Sequence, residues 1–177
     1  ESSGVTALKG GQVDLTSTAP FADIPSLEQD KSIKVLKQPG MNCRFISVNH
    51  RKAPFDDVNF RRAVSMAFDR NAMVKVVLFG EGVPSHGLIP PSLAYAYDTK
   101  PRATSVFNAE QAKAELAKSK YAKYAAEIPV LTWGSSWWKR IVEVFALQVN
   151  QTLGTKFTIE VNEANTVYAK QRSGDFV

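Results

Sequence analysis

The sequence predicts an α/β fold, because strand-like and helix-like segments alternate along it and the last third follows the order strand, helix, strand. Residues 127–133 and 156–162 alternate apolar and polar or β-branched side chains, whereas residues 135–154 place apolar side chains at helical spacing. Parallel strands need a long crossover connection, so this order indicates a βαβ unit with parallel strands and a right-handed connection.

The first part of the chain predicts short elements separated by turns. Residues 5–15 have the pattern of a helix end, a glycine-glycine turn and the start of a strand. Residues 24–29 predict a short helix. Residues 33–36 and 43–49 are apolar runs on either side of a proline-glycine turn, and both are expected to be strands.

A pair of capped helices is predicted for residues 54–79. Asp56 or Asp57 can cap the first helix, and Asp69 can cap the second. The two consecutive arginines of the first helix are interpreted as a solvated face and not as a ligand clamp. The apolar stripe expected to face the core consists of Phe60, Ala63, Val64, Ala67 and Phe68.

The stretch of residues 80–105 is rich in proline and glycine and predicts a long loop, of the kind that is usually functional or disordered. Helix returns at residues 108–118, where Asn108 is the expected N-cap and Gln111 stands where a capping box needs it. A final helix is expected over residues 164–172.

The helix of the βαβ unit is expected to end at Gly154. Its helical phase places the first of its tryptophans on the core side. The predicted stripe is Trp137, Ile141, Val144, Phe145, Gln148 and Val149.

Composition and charge argue against several classes of function. The chain has 177 residues, of which 44% are hydrophobic and 22% charged, enough to bury one core. The net charge of +5 comes from scattered basic residues with no RNA-binding aromatic motif, so no nucleic-acid partner is predicted. The single cysteine, Cys43, excludes an internal disulfide and is interpreted as a small buried hydrophobe.

No catalytic or metal site is visible in the sequence. His50 and His86 have no second histidine or cysteine at ligand spacing, so neither a metal nor another cofactor is predicted. Ser135 and Ser136 have no assignable triad partner, and helix capping explains them better than nucleophilic catalysis. An enzyme is therefore not predicted.

The stretch "TWGSSWW" places three tryptophans at a strand-to-helix junction. The carboxyl ends of parallel strands are where α/β sheets form ligand crevices. Trp133 and Trp138, with Ser135 and Ser136 at the helix start, are candidates to bind an organic ligand with a polar end. The alternative that all three tryptophans are simply packed in the interior stays open.

Several motifs follow one another in a fixed order: "ALKGGQVDL", a proline-glycine turn, "FISVN", "PFDDVNFRRAVSMAFDR", "GEGVPSHGLIPPSLAYAYD" and "NAEQAKAELAKSKY". In this order the chain resembles the extracytoplasmic solute-binding proteins of peptide-type ABC importers, the dipeptide, oligopeptide and nickel group. The resemblance covers essentially the whole chain.

This resemblance implies a two-lobed periplasmic-binding-protein-like fold of type II, of which the chain is an internal fragment. Residues 1–42 would be the tail of the first lobe and the approach to the hinge, and residues 43–177 the first part of the second lobe. The implied partners are a peptide or other small organic solute and the ABC permease subunits, in a periplasmic or extracytoplasmic location. An open sheet edge would let the fragment self-associate.

The resemblance also adds candidate ligand residues: Thr16, Ser17 and Thr18 from the first lobe, and Asn49 at the hinge. Dipeptide-specific members carry an arginine and a nearby tyrosine at the junction where Thr132 and Trp133 stand here. Longer peptides, opine-like compounds and sugars therefore remain open as solutes. A related role as a sensor or chaperone remains open too, as does the less favoured reading as an enzyme or nucleic-acid module.

Overall fold

A computed structural model of the protein describes residues 2–17, 19–134 and 136–177. None of the helices in these ranges is both long and apolar enough to cross a membrane. The helices and strands, in chain order, are α1 (Ser2–Lys9), α2 (Ile24–Glu28), α3 (Val58–Ala67), α4 (Arg70–Val77), α5 (Ala109–Ala117), β1 (Ile128–Trp133), α6 (Ser136–Leu153), β2 (Phe157–Asn162) and α7 (Ala164–Ser173).

The predicted βαβ unit is confirmed. Strands β1 and β2 pair in parallel, from Ile128 opposite Phe157 to Trp133 opposite Asn162, and α6 connects them. Helix α6 ends at Leu153, directly before the predicted Gly154, whose φ of 69° lies in the left-handed region that favours glycine. The register brings the carboxyl ends of both strands to the same edge of the sheet.

The core lies between α3, α5, α6 and the sheet. The stripe predicted for α3 is confirmed, because Phe60, Ala63 and Ala67 are completely buried and the other two members are buried as well. Aromatic rings fill the centre of this core: the Phe68 and Phe145 ring centroids lie 5.3 Å apart in an edge-to-face arrangement. Helix α6 therefore covers one face of the sheet and α3 packs against it.

Side-chain caps begin three helices at the predicted residues. Asp57 accepts hydrogen bonds from the backbone N–H groups of Asn59 and Phe60, and Asp69 accepts one from Ala72. Asn108 caps α5 by accepting from the N–H of Gln111, but its own N–H donates to the carbonyl oxygen of Met66. The capping box is thus half formed, because α3 supplies the acceptor that the Gln111 side chain would otherwise provide.

The strands predicted before residue 50 are not found. Residues 33–36 and 43–49, and the strand start expected before residue 16, form no ladder with another strand. A strand exists only when a neighbour accepts and donates its backbone hydrogen bonds, and the described part of the chain places none beside these segments. The prediction that Cys43 is a buried hydrophobe is wrong, because the residue is only partly buried and its Sγ lies 3.3 Å from the carbonyl oxygen of Gly87.

The long loop is irregular as predicted, apart from one 3₁₀ turn at Ala103–Ser105. Polar contacts hold it against the extended segment that precedes α3. Lys37 and Glu81 form an ion pair with 2.6 Å between Nζ and Oε1, and the Ser92 hydroxyl donates to the carbonyl oxygen of Gly40 at 2.8 Å. The loop and the extended segment therefore lie side by side.

Candidate functional site

A depression of about 660 Å³ lies at the carboxyl ends of β1 and β2. The two strand ends, the turn after β1 and the start of α7 form its walls, which is the place where parallel sheets offer a crevice. The residues that line this strand-end depression are Trp133, Gly134, Val161, Asn162, Glu163, Ala164 and Thr166.

Five aromatic side chains form a continuous surface that begins at this depression; together they are called the aromatic row. The Trp133 ring contacts Tyr168 of α7 and Trp138 of α6, with centroid distances of 5.8 and 5.0 Å. Trp138 stacks on Trp137 at 4.4 Å and an angle of 25°, and Phe21 meets Trp137 edge to face at 6.4 Å. None of the five residues is fully buried, and Tyr168 is exposed.

Trp137 lies outside the core, contrary to the expectation from its helical phase. It is half-buried: its ring contacts Phe21 and Trp138, and part of the residue remains exposed. Helical phase indicates the side on which a residue lies, but not whether anything packs over that side. The buried residues of α6 are Ile141, Val142, Phe145, Ala146 and Val149.

A polar group in the depression is held in position by its neighbours. The amide nitrogen of Asn162 donates to Glu160 Oε1 at 3.0 Å, and Lys170 Nζ lies 2.7 Å from the same oxygen. The hydrogen bond from Lys170, with that from Asn162, lowers the pKa of Glu160, so this carboxylate is ionised at neutral pH. No hydrogen bond to the amide oxygen of Asn162 is found among the described residues.

Charged groups stand at both ends of this surface. Glu163, at the start of α7, lines the depression and is exposed. The guanidinium of Arg44 lies close to Trp137 and Trp138, 5.5 and 5.1 Å from the ring centroids. Across the described residues, no group of three or more histidine, cysteine, aspartate or glutamate side chains is arranged to hold a metal ion.

The structure brings together only part of the predicted ligand set. Trp133 and Trp138 are adjacent in the aromatic row, whereas Ser135 falls outside the described residues and Ser136 begins α6. Thr16 and Ser17 do not line the depression, and Thr18 falls outside the described residues. Thr16 packs on α1: its Oγ1 lies 2.9 Å from the point where a Cβ on Gly4 would be.

Asn49 has a structural role. Its side-chain amide nitrogen donates to the carbonyl oxygens of Gly174 and Phe176, both at 3.0 Å, and its Oδ1 accepts from the N–H of Arg51. Both amide hydrogens are used within the chain, so nothing in this geometry supports the predicted ligand contact. Asn49 instead ties the segment before α3 to the residues that follow α7.

The remaining site residues were missed by sequence reasoning. Asn162 could have been found, because it ends β2 just as Trp133 ends β1, and parallel strand ends lie side by side. Phe21, Arg44 and Tyr168 carry no local signal. They reach the aromatic row from segments that are distant in sequence, so only the tertiary structure identifies them.

Comparison with known proteins shows what the chain as a whole is similar to. The sequence profile described as "Bacterial extracellular solute-binding proteins, family 5 Middle" matches residues 1–177. The glutathione-binding protein GsiB of Escherichia coli strain K12 is 36% identical over 94 residues, which are 53% of this chain and 18% of GsiB. The dipeptide-binding protein of the same strain is 38% identical over 99 residues, 55% of this chain and 18% of that protein.

A solved structure of the Escherichia coli murein tripeptide binding protein MppA superimposes with a TM-score of 0.83 at 22% sequence identity. The superposition covers 98% of this chain and 35% of MppA. The chain thus spans about a third of that structure, and the matched parts are under a fifth of the curated relatives.

Proposed function

This chain belongs to the bacterial extracellular solute-binding proteins of family 5, and we propose that it is part of the substrate-binding component of an ABC importer. In this proposal the protein captures a peptide or a related small organic solute between two lobes, outside the cytoplasm, and delivers it to a membrane permease. The names of two relatives support a peptide-like solute, because one is a glutathione-binding and the other a dipeptide-binding protein. The role is one of binding and transport, without a catalytic step.

The observation that carries this proposal is the aromatic row at the strand-end depression. Flat rings with exposed faces bury the apolar part of an organic solute, while a few placed polar groups orient it. Trp133 provides the ring and Asn162 provides the polar group, at adjacent strand ends. The chain thus presents one wall of a binding cleft.

The division into lobes is also proposed. Residues 1–42 are assigned to the tail of the first lobe and the approach to the hinge, and residues 43–177 to the first part of the second lobe. In support, every residue that forms or packs on the main hydrophobic cluster lies between Ile46 and Val177. Closure of the rest of the first lobe over Trp133 and Trp138 would then bury the solute, and the difference in affinity between open and closed states would drive closure.

Titration calorimetry of the full-length protein tests the proposed wall, with dialanine, trialanine and glutathione as probes. We expect a Trp133→Ala variant to bind the preferred probe about tenfold or more weakly, because aromatic anchors dominate binding energy where they are buried by a ligand. Tyr95→Ala is the matched control, since the Tyr95 side chain is 89% exposed and lies on the long loop.

A circular dichroism spectrum identical to wild type shows that the Trp133→Ala variant is folded, and Trp133→Phe is expected to retain most of the affinity. Equal affinity of wild type and Trp133→Ala would contradict the assignment of the aromatic row to the cleft. Failure of the wild type to bind any of the three probes would contradict peptide capture itself.

A further inference from the structure

Arg44 places its guanidinium against the aromatic row. Its guanidinium carbon lies 5.5 Å from the Trp137 centroid and 5.1 Å from the Trp138 centroid, so the cation is within cation–π distance of both rings. Phe21 supports the Trp137 ring edge to face at 6.4 Å, and the two indoles stack on one another. The position of the guanidinium is therefore set by aromatic contacts with α6.

The N–H donors of the Arg44 guanidinium are available to a ligand. They lie in one plane and form a fork that matches a carboxylate. Within the described residues the Arg44 side chain forms no ion pair and no hydrogen bond, and it is exposed. An exposed, oriented cation without an acidic neighbour is suited to an anion that arrives with a ligand.

The strand-end depression itself offers no positive charge. Among the residues that line it, the only charged side chain that the structure describes is Glu163, an acid. Trp133 lies between the two ends of the surface: it lines the depression and contacts Trp138, which carries Arg44. A solute lying along the rings would therefore meet a positive group at one end and a negative group at the other.

We propose that Arg44 is a specificity-determining residue, which selects solutes that carry a carboxylate by binding that group beside Trp137 and Trp138. The inference rests on the proposed function and adds the chemical class of the group that is recognised. The carboxylate lies at the Arg44 end of the aromatic row, and the apolar part of the solute lies on the rings toward Trp133. The positive charge then comes from Arg44, which lies in the segment before α3, and not from a residue of the strand-to-helix junction.

The test compares trialanine with trialanine amide, which lacks the carboxylate, by titration calorimetry on the full-length protein. The wild type is expected to bind the free acid about tenfold more tightly than the amide, because only the acid can form a charge-assisted hydrogen-bonded pair with Arg44. Arg44→Gln is expected to remove this difference by weakening binding of the acid alone. Arg62→Gln, an exposed arginine on α3, is the matched control and should keep the wild-type ratio.

The outcomes separate this inference from the proposed function. If Arg44→Gln keeps the wild-type preference for the free acid, the assignment of the carboxylate to Arg44 is overturned while peptide capture stands. If the wild type binds acid and amide equally, selection of a carboxylate is overturned and capture again stands. If the wild type binds neither probe, both the capture of peptides and the assignment to Arg44 are overturned.

Discussion

At the scale of single residues, Arg70 joins segments that are far apart in the chain. Its guanidinium donates to the carbonyl oxygens of Ser65, Phe68 and Ser105 at 3.0 to 3.3 Å, and to the hydroxyl of Ser65. The first two carbonyls lie at the end of α3, where helix geometry leaves them without partners. Burial lowers the pKa of Arg70, but arginine starts far enough above neutrality to stay charged.

Replacing Arg70 with alanine is expected to lower the free energy of unfolding by about 2–4 kcal/mol, because several half-buried carbonyls lose their donor at once. Arg70→Lys should recover only part of this loss, since one ammonium cannot reach carbonyls that a planar fork spans. Urea denaturation measures the difference. Arg62→Ala is the control at an exposed site, and an equal loss in both alanine variants would contradict the bridging role of Arg70.

At the scale of elements, the helices are defined by local contacts and the strands are not. Asp57 shows how local the helix signal is, because its carboxylate accepts from N–H groups two and three residues later at 2.7 and 3.1 Å. The N–H of Lys120, after α5, donates to the second carboxylate oxygen at 3.2 Å. The same side chain thus starts α3 and fixes the end of α5 beside it.

The cap at Asp57 makes stability depend on pH. Burial of the carboxylate acts to raise its pKa, but the hydrogen bonds from Phe60, Lys120 and Asn59 outweigh burial and lower the pKa below its ordinary value of 3.8. The folded state therefore binds this proton less readily than the unfolded state. The stability that Asp57 contributes is present above about pH 4 and is lost as the pH falls through the lowered pKa.

Thermal denaturation across pH 2–7 tests this cap. We expect Asp57→Ala to lower the melting temperature by about 2–4 °C at neutral pH and to differ less from wild type in acid. Asp57→Asn keeps an oxygen acceptor without a titrating charge, so it should be stable at neutral pH and show a flatter acid dependence. A wild-type curve with the same acid dependence as Asp57→Asn would contradict the assignment.

At the scale of the whole molecule, the chain leaves apolar and backbone groups uncovered. The sheet has two strands, and the described residues place no further strand beside either edge. Large apolar side chains are also exposed along the extended segment and the long loop that lie side by side: Leu36, Met41, Phe45, Val83, Leu88 and Tyr95. Such a surface is typical of a region that another part of a larger protein, or another copy, covers.

The 177-residue chain, prepared by itself, is therefore expected to associate as its concentration rises, in keeping with the self-association predicted from an open edge. Sedimentation velocity at a low and a high concentration measures this. Replacing Leu36 and Phe45 with lysine should weaken association, because both side chains are exposed and charge opposes burial.

Leu147→Lys is the control for this prediction, since Leu147 is an exposed leucine on α6, outside the extended segment and the loop. It should leave association unchanged. A chain that stays monomeric at both concentrations, or a double variant that associates like the wild type, would contradict the assignment of this surface.

The sequence by itself determined the elements whose contacts are local. The caps at Asp57, Asp69 and Asn108, the stripe of α3 and the βαβ order all follow from residues within a few positions of one another, because helical hydrogen bonds span four residues. The family could also be identified from motifs in a fixed order, and the comparison confirms it.

Only the tertiary structure decided which segments that are distant in sequence pair or pack against one another. Residues 43–49 have the composition of a strand, yet strand formation depends on a neighbour that sequence spacing cannot supply. Trp137 has the phase of a core residue, yet its exposure depends on whether anything covers the first turn of α6. Arg44 contacts Trp137, which is more than ninety positions later in the chain. Such a contact depends on tertiary packing, so the local sequence does not predict it.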